Sequence, residues 1–344
     1  MSYPAVIKPQ DLLCPKPAGL YCPPGDFYID PVRPVDRAVI THGHSDHARA
    51  GHRHVAATPE TLAIMAERYG EDFAVVSRQA VPYGESIIHN DVEVTLVPAG
   101  HVLGSAQAVV RWKGLTIVVS GDYKRRRDPT CARFEPVPCD VFVTEATFGL
   151  PVFRHPDDRG EIAALLKSVE QFPERAHIVG AYALGKAQRV ISLLREAGWD
   201  RTIHVHGAME RLNRLYEAHG VDLGPLAPAT TERGKTADFA GAIIVAPPSA
   251  LADRWSRRFP DPVDCFASGW MRVRARARQR GVELPLIISD HADWDELTDT
   301  LSELRPGEVW ITHGREEALE RWCALEGIPA RALRLVGYNE DDGE

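Results

Sequence analysis

The sequence predicts an α/β protein in which one α/β unit is set inside another. Three observations lead there. The first 150 residues alternate short apolar strands and turns around one clear helix. From about Pro151 helices and strands alternate regularly, the pattern of a doubly wound sheet. From about Leu284 the earlier style returns, which divides the chain into 1–150, 151–284 and 285–344.

Each element follows from local chemistry. Ala38-Val39-Ile40 is a short apolar strand. Pro59-Glu60 opens a helix with Thr58 as its cap, and Gly70 ends it. Val92 to Ala99, Ala108 to Trp112 and Leu115 to Ser120 read as strands, with Lys113-Gly114 as a tight turn between the last two. Val141 to Thr144 is a buried strand. In the middle stretch, helices Glu161 to Gln171 and Lys186 to Ala197 alternate with strands Ile178 to Tyr182, Thr202 to His206 and Ala242 to Ala246. Ala187, Val190, Ile191 and Leu194 make one apolar stripe on the second helix. In the last stretch, strands Leu286 to Ser289 and Val309 to Thr312 each lead into a His and then a helix. The acidic tail Glu340 to Glu344 reads as frayed.

The segment 41-THGHSDHARAGH-52 carries the most chemistry. His42, His44, Asp46 and His47 crowd into six positions directly after a strand. In an extended segment 42, 44 and 46 face one side and His47 the other. Imidazole nitrogens and carboxylates are the ligands that borderline ions such as zinc accept. Three further donors stand at strand ends beside Gly: His101 in 98-PAGHVLGSAQ-107, Asp122 in 118-VVSGDYK-124 and His313 in 309-VWITHGRE-316. Five His and two Asp are too many for one tetrahedral ion and fit two. His42, His44 and His101 are assigned to the first ion, Asp46, His47 and His313 to the second, and Asp122 bridges them. Two ions roughly 3.5–4 Å apart suit phosphoryl or acyl hydrolysis, because they generate hydroxide near neutral pH and neutralise charge on the reacting centre. A leaving oxygen also needs a proton. His291 in 286-LIISDHADW-294 is the candidate, with Glu145 in 141-VFVTEATFG-149 as the carboxylate that raises its pKa. Asp46, Asp122, His291 and Glu145 form the expected catalytic set.

Bulk properties describe an ordinary folded chain. It has 344 residues, 44% hydrophobic and 26% charged, with no apolar stretch long enough for a bilayer and no secretion signal in MSYPAVIKPQD. Its six Cys, at 14, 22, 131, 139, 265 and 323, include no CxxC pair and read as free thiols in a reducing cytoplasm. The net charge of −8 argues mildly against a nucleic-acid partner, but bound ions would cancel several ligand charges.

These motifs carry a resemblance. HGHSDH, a strand-end His and then SGD resemble the metallo-β-lactamase superfamily. TEATFG, 181-AYALGKAQR-189, SDHAD and THG resemble its β-CASP nuclease branch. More narrowly, 120-SGDYKRRRDPTC-131 and 268-SGWMRVRARARQRG-281 are similar to bacterial DNA ligase-associated exonucleases, themselves like the Artemis-type repair nucleases. His313 is similar instead to the RNA-processing members, including the pre-mRNA 3′-end cleavage nuclease. The resemblance implies a metallo-β-lactamase αββα sandwich, formed by 1–150 and 285–344, with an inserted α/β β-CASP domain at 151–284. It implies a DNA exonuclease in repair, with an RNA-processing ribonuclease as the alternative, and two divalent ions, zinc first and manganese second. It also implies a functional association with a DNA ligase and helicase, and no membrane partner. Asp30 in 27-FYIDP-31 matches the Asp that orients the ligand loop.

Two basic runs are candidate nucleic-acid contacts. Lys124, Arg125 and Arg126 follow Asp122 directly. Arg272, Arg274 and Arg276 open a run with Arg at every second position, which shares one face if extended and wraps around if helical. Lys186, at a helix start after Gly185, is a third candidate.

Overall fold

A computed structural model of the chain describes residues 7–230 and 239–333. The acidic tail from 340 onward lies outside the described residues. The described residues form two compact units: 7–151 with 291–333, and 152–230 with 239–290.

The first unit is built on two sheets. One has six strands in chain order, from Cys14–Lys16 through Gly19–Cys22, Phe27–Ile29, Arg37–Val39 and His54–Ala57 to Ser77–Ala80. The other has seven, in the order Ala330–Ala332, Glu308–Gly314, Val141–Ala146, Leu115–Val119, Ala106–Trp112, Val92–Pro98, Ser86–His89. The last segment of the chain thus supplies two strands parallel to Val141–Ala146. Strand alternation explains the packing. Ile117, Val119, Val141, Val143 and Trp310 turn toward the six-stranded sheet and share a core with Ile29 and Val39. The intervening Val118, Phe142, Val309 and Ile311 turn the other way, onto Trp294, Leu297 and Leu301 of helix Trp294–Leu304 and Leu319 of helix Glu316–Leu325. A sheet covered on both faces has near-continuous apolar strands, and these strands are nearly all buried. The six-stranded sheet carries Met65 of helix Pro59–Tyr69 on its outer face, beside Ile40, Val55 and Ala57. The layers are therefore helix, sheet, sheet, helix.

Local signals read from the sequence are realised here. Thr58 caps helix Pro59–Tyr69, accepting from the amide of Thr61 at 3.2 Å. Lys113 and Gly114 take positive φ, 48° and 85°, in the two-residue turn.

The second unit holds six parallel strands, in the order Leu226–Pro228, Ile203–Val205, Ile243–Ala246, His177–Gly180, Val263–Ala267, Leu284–Leu286. Helices Asp158–Gln171, Lys186–Glu196 and Glu210–Ala218 connect them, as a parallel sheet requires. Strand Leu284–Leu286 pairs with Val263–Ala267, so the chain leaves this unit at Asp290, six residues later than sequence style alone marks. The arginine run is helical over Arg274–Gln279, preceded by a turn of 3₁₀ helix at Gly269–Arg272. Among the described residues, no helix is long and apolar enough to cross a membrane.

Candidate metal centre

The site lies in the first unit, where loops leave strand ends. Asp30, just past strand Phe27–Ile29, holds a left-handed backbone (φ 45°) that non-glycine residues adopt at a cost. Its carboxylate offsets that cost with three bonds. Oδ1 accepts the Thr41 amide at 2.8 Å, and Oδ2 accepts the Thr41 hydroxyl at 2.6 Å and His47 Nδ1 at 2.8 Å. The Thr41 oxygen, having given its proton to Asp30, accepts from His42 Nδ1 at 3.0 Å. These contacts fix Nδ1 of each ring as the donor, so Nε2 is the nitrogen that would give its lone pair to an ion. His42 Nε2 is buried without a hydrogen bond.

Asp122 is the hub. It follows strand Leu115–Val119 through Ser120 and Gly121, and Gly121 (φ 57°) lies so close to Thr41 that a Cβ would meet its side chain at 2.7 Å. Asp122 Oδ2 stands 3.4 Å from His42 Nε2, 3.5 Å from His47 Nε2 and 3.7 Å from His101 Nε2. Oδ1 stands 3.1 Å from His313 Nε2. Burial alone would push the Asp122 carboxyl up, but His47, His291, His313 and His42 hold it well below the usual carboxylate range. Burial opposes a charge on His47 too, yet Asp122, Asp46 and Asp30 raise it to about 10.

His101 Nε2 faces His44 Nδ1 at 2.9 Å. Its approach depends on Gly100 (φ 76°), where a Cβ would strike the Lys124 carbonyl at 2.2 Å. His313 depends on Gly314 (φ 110°), whose Cβ would strike the Ala146 carbonyl at 2.1 Å. The ladder here slips: Thr144 pairs with Ile311 but Ala146 with Gly314, so Thr312 and His313 stand opposite the single Glu145. An irregularity of this kind re-aims side chains. Glu145, fully buried, accepts His291 Nδ1 at 2.9 Å on Oε2 and the Tyr123 amide at 2.8 Å on Oε1. The Tyr123 carbonyl accepts the Ala292 amide at 2.6 Å. Asp122, Glu145 and His291 are thus laced together through one backbone residue.

Among the described residues, three groups of donors that lie wholly in the first unit have their ligand atoms within 4.8 Å: His42, His44, His101 and Asp122; His47, Asp122 and His313; and Asp122, Glu145 and His291. Imidazoles with fixed ring orientations around one buried carboxylate are a donor set that could hold divalent ions, and Asp122 is common to all three groups.

Other expected residues fall elsewhere. Asp46 is outside these groups, its side chain 42% exposed and its carboxylate 3.6 Å from His47 Nε2. The segment is not extended: the Ala48 amide donates to the His44 carbonyl at 2.7 Å, closing a turn that breaks the expected alternation. Lys124 is 1% exposed, 3.9 Å from Glu296. Glu296 also accepts the amides of Arg125 and Arg126, whose guanidinium groups pair with Glu303 and Asp293. Lys186 is 3% exposed and pairs with Asp290. Each of these four cations thus lies beside a carboxylate of its own chain. Arg272 and Arg274 are exposed and Arg276 is half-buried.

Sequence reasoning missed Thr41 and the Tyr123 backbone. Thr41 had a signal, a hydroxyl directly before the first His. A backbone donor has none, since any residue supplies it.

A model of the metallo-β-lactamase superfamily matches residues 30–176. A protein named probable DNA ligase from Opitutus terrae is 26% identical over 325 residues, which are 90% of this chain and 30% of that one. Cleavage and polyadenylation specificity factor subunit 3 of Dictyostelium discoideum is 34% identical over 122 residues, 34% of this chain and 16% of that one. Endoribonuclease ysh1 of Aspergillus fumigatus is 36% identical over 112 residues, 31% of this chain and 13% of that one. The chain therefore spans less than a third of these relatives. A solved structure, a protein of unknown function from Enterococcus faecalis, shares the fold, with a TM-score of 0.58, 14% identity, and coverage of 88% of this chain and 80% of that one. The layered sheets, the loop that follows Asp30 and the matched segment lead to one conclusion: this chain carries a metallo-β-lactamase domain, and its relatives are consistent with the β-CASP branch.

Proposed function

We propose that the chain is a two-metal phosphodiester hydrolase, a DNA exonuclease that works in repair alongside a DNA ligase in the cytoplasm. The observation that carries the hydrolase reading is Asp122, which gathers His42, His47, His101 and His313 around one carboxylate while the Glu145–His291 pair stands beside it. His42, His44, His101 and Asp122 would hold one ion, His47, Asp122 and His313 the other, with Asp46 at the rim. Divalent ions, zinc before manganese, would supply a nucleophile from water at neutral pH and positive charge beside the phosphoryl oxygens. The protein's own residues do the rest. Asp30 and Thr41 fix the ring orientations. Glu145 holds the His291 Nδ1 proton, which leaves Nε2 to carry a proton to the departing oxygen.

Support for DNA is the alignment of 90% of this chain with part of a protein named for ligation. A helicase association follows only from the resemblance of the sequence motifs. The relatives named endoribonuclease and cleavage factor, together with His313, favour a second reading, a ribonuclease. The test is digestion of matched 5′- and 3′-labelled DNA and RNA, single- and double-stranded, with zinc or manganese. We expect nucleotide release from DNA ends, faster than from RNA and lost in His42→Ala. Faster RNA cleavage selects the second reading. No release from any substrate, or a His42→Ala variant equal to wild type, rejects both.

A further inference from the structure

The chain has two basic runs, and it treats them in opposite ways. Lys124, Arg125 and Arg126 are neutralised by Asp293, Glu296 and Glu303. In the second unit, no carboxylate pairs with Arg272, Arg274, Arg276 or Arg278 among the described residues, although the whole chain carries a net charge of −8. Over 152–290 bases outnumber acids, 20 to 17, so this unit is positive within a chain that is negative as a whole.

The helix Arg274–Gln279 sorts its arginines by face. Residues four apart share a face, so Arg276 goes with Arg280 and Arg274 with Arg278. The first pair is anchored on rings. Arg276 lies 4.0 Å over Trp270 and Arg280 lies 4.9 Å over Phe266. Behind them, Phe266, Met271 and Ala277 form a small core with Val282 and Ile287. The second pair, Arg274 and Arg278, is exposed to solvent, next to Arg272, whose Nε donates to the Val152 carbonyl at 3.4 Å. Like charges four apart on a helix repel and destabilise it. The helix therefore holds the Arg274–Arg278 pair against its own stability, while Arg276 and the C-cap Arg280 lie over rings.

We infer that the Arg274–Arg278 face, with Arg272, grips the phosphodiester backbone of a nucleic acid without reading its bases. This rests on the nucleic-acid reading above and extends it to a site in the second unit. Guanidinium groups suit phosphate oxygens, and contacts to phosphate position a strand but carry no sequence information. The closely spaced negative charges of a nucleic acid match a helix face with two uncompensated cations.

The test is fluorescence anisotropy of the whole chain with phosphorothioate oligonucleotides, which resist cleavage, across a salt series. Arg274→Gln/Arg278→Gln is the variant. Arg33→Gln/Arg214→Gln, two exposed arginines elsewhere, matches its change in net charge. We expect the first variant to weaken binding about tenfold and to lower the salt-dependence slope by about 1.4 on single strands, at roughly 0.7 per lost phosphate contact. The control keeps the wild-type slope. Equal slopes for both variants overturn the inference, as does polyglutamate displacing the oligonucleotide at equal charge, which assigns the face to an acidic protein. The slope is independent of hydrolysis. A lowered slope without nuclease activity leaves this inference standing and rejects the hydrolase, and an unchanged slope with activity does the reverse.

Discussion

Asp30 shows how much one side chain can decide. Its three hydrogen bonds fix Thr41 and His47, and through Thr41 they fix His42. An amide at this position keeps one accepting oxygen and puts a donor where the other was. Asp30→Asn is expected to lower metal affinity by about 10–100-fold with the fold intact, as read by competition against a chromogenic chelator. His52 makes a separate prediction. Burial outweighs Asp30 and depresses its pKa from 6.5 to about 4, and its Nδ1 accepts the Val35 amide at 3.3 Å as a neutral ring. The unfolded state therefore takes up a proton more readily than the folded state between those two pH values. His52 stabilises the fold in full above about 6.5, and that contribution is lost as pH falls toward 4. The loss is on the order of 2 kcal/mol, and urea titrations at pH 7 and pH 4.5 should show it shrinking in His52→Gln. At this scale the sequence was legible where residue type implies chemistry, as with the clustered His and Asp122. It was not legible for Asp46, whose placement depends on a turn, or for Lys124 and Lys186, whose burial no charge pattern reveals.

Elements were read by their ends. Thr58 and Pro59 start a helix because a hydroxyl and a ring suit those positions, and Lys113-Gly114 turns because two positive φ angles are needed there. The acids of 293-DWDE-296 could be read as a capping box, which they form, with Asp293 accepting the Glu296 amide at 3.0 Å. Their second task, neutralising the run after Asp122, depends on tertiary packing and has no local signal. Helix Lys186–Glu196 makes the same point. Its spacing gave the apolar stripe, yet Lys186, Gln188 and Arg189 are buried as well, and Arg189 pairs with Asp158. Lys186→Ala should take from the buried Asp290 carboxylate the ammonium that pairs with it, at a cost of up to about 3–5 kcal/mol in urea denaturation. Lys186→Ala/Asp290→Ala should recover a large part of it. Equal losses in the single and double variants would mean that the pair is not the source.

At the scale of the molecule, the change in pattern at residue 151 was readable because parallel sheets need crossover helices. The end of the middle stretch was less so, since Leu284–Leu286 is an apolar strand that either unit's sheet could use. Removing divalent ions offers a test at this scale. Ligands that converge only in the folded state make ion binding a folding term, about 4 kcal/mol at a free ion concentration 1,000 times Kd. EDTA should lower the melting temperature of wild type by several degrees in differential scanning fluorimetry and leave His42→Ala nearly unmoved.

The strand Glu308–Gly314 lies between Val141–Ala146 and Ala330–Ala332, and it carries His313 to Asp122. A ribosome making this protein releases His42 and Asp122 long before it reaches His291 and His313. For most of translation the emerging polypeptide owns the first ligands and lacks the last ones. A product cut short before residue 313 would lack the strand end that seats His313 beside Asp122, and it could not close the cluster.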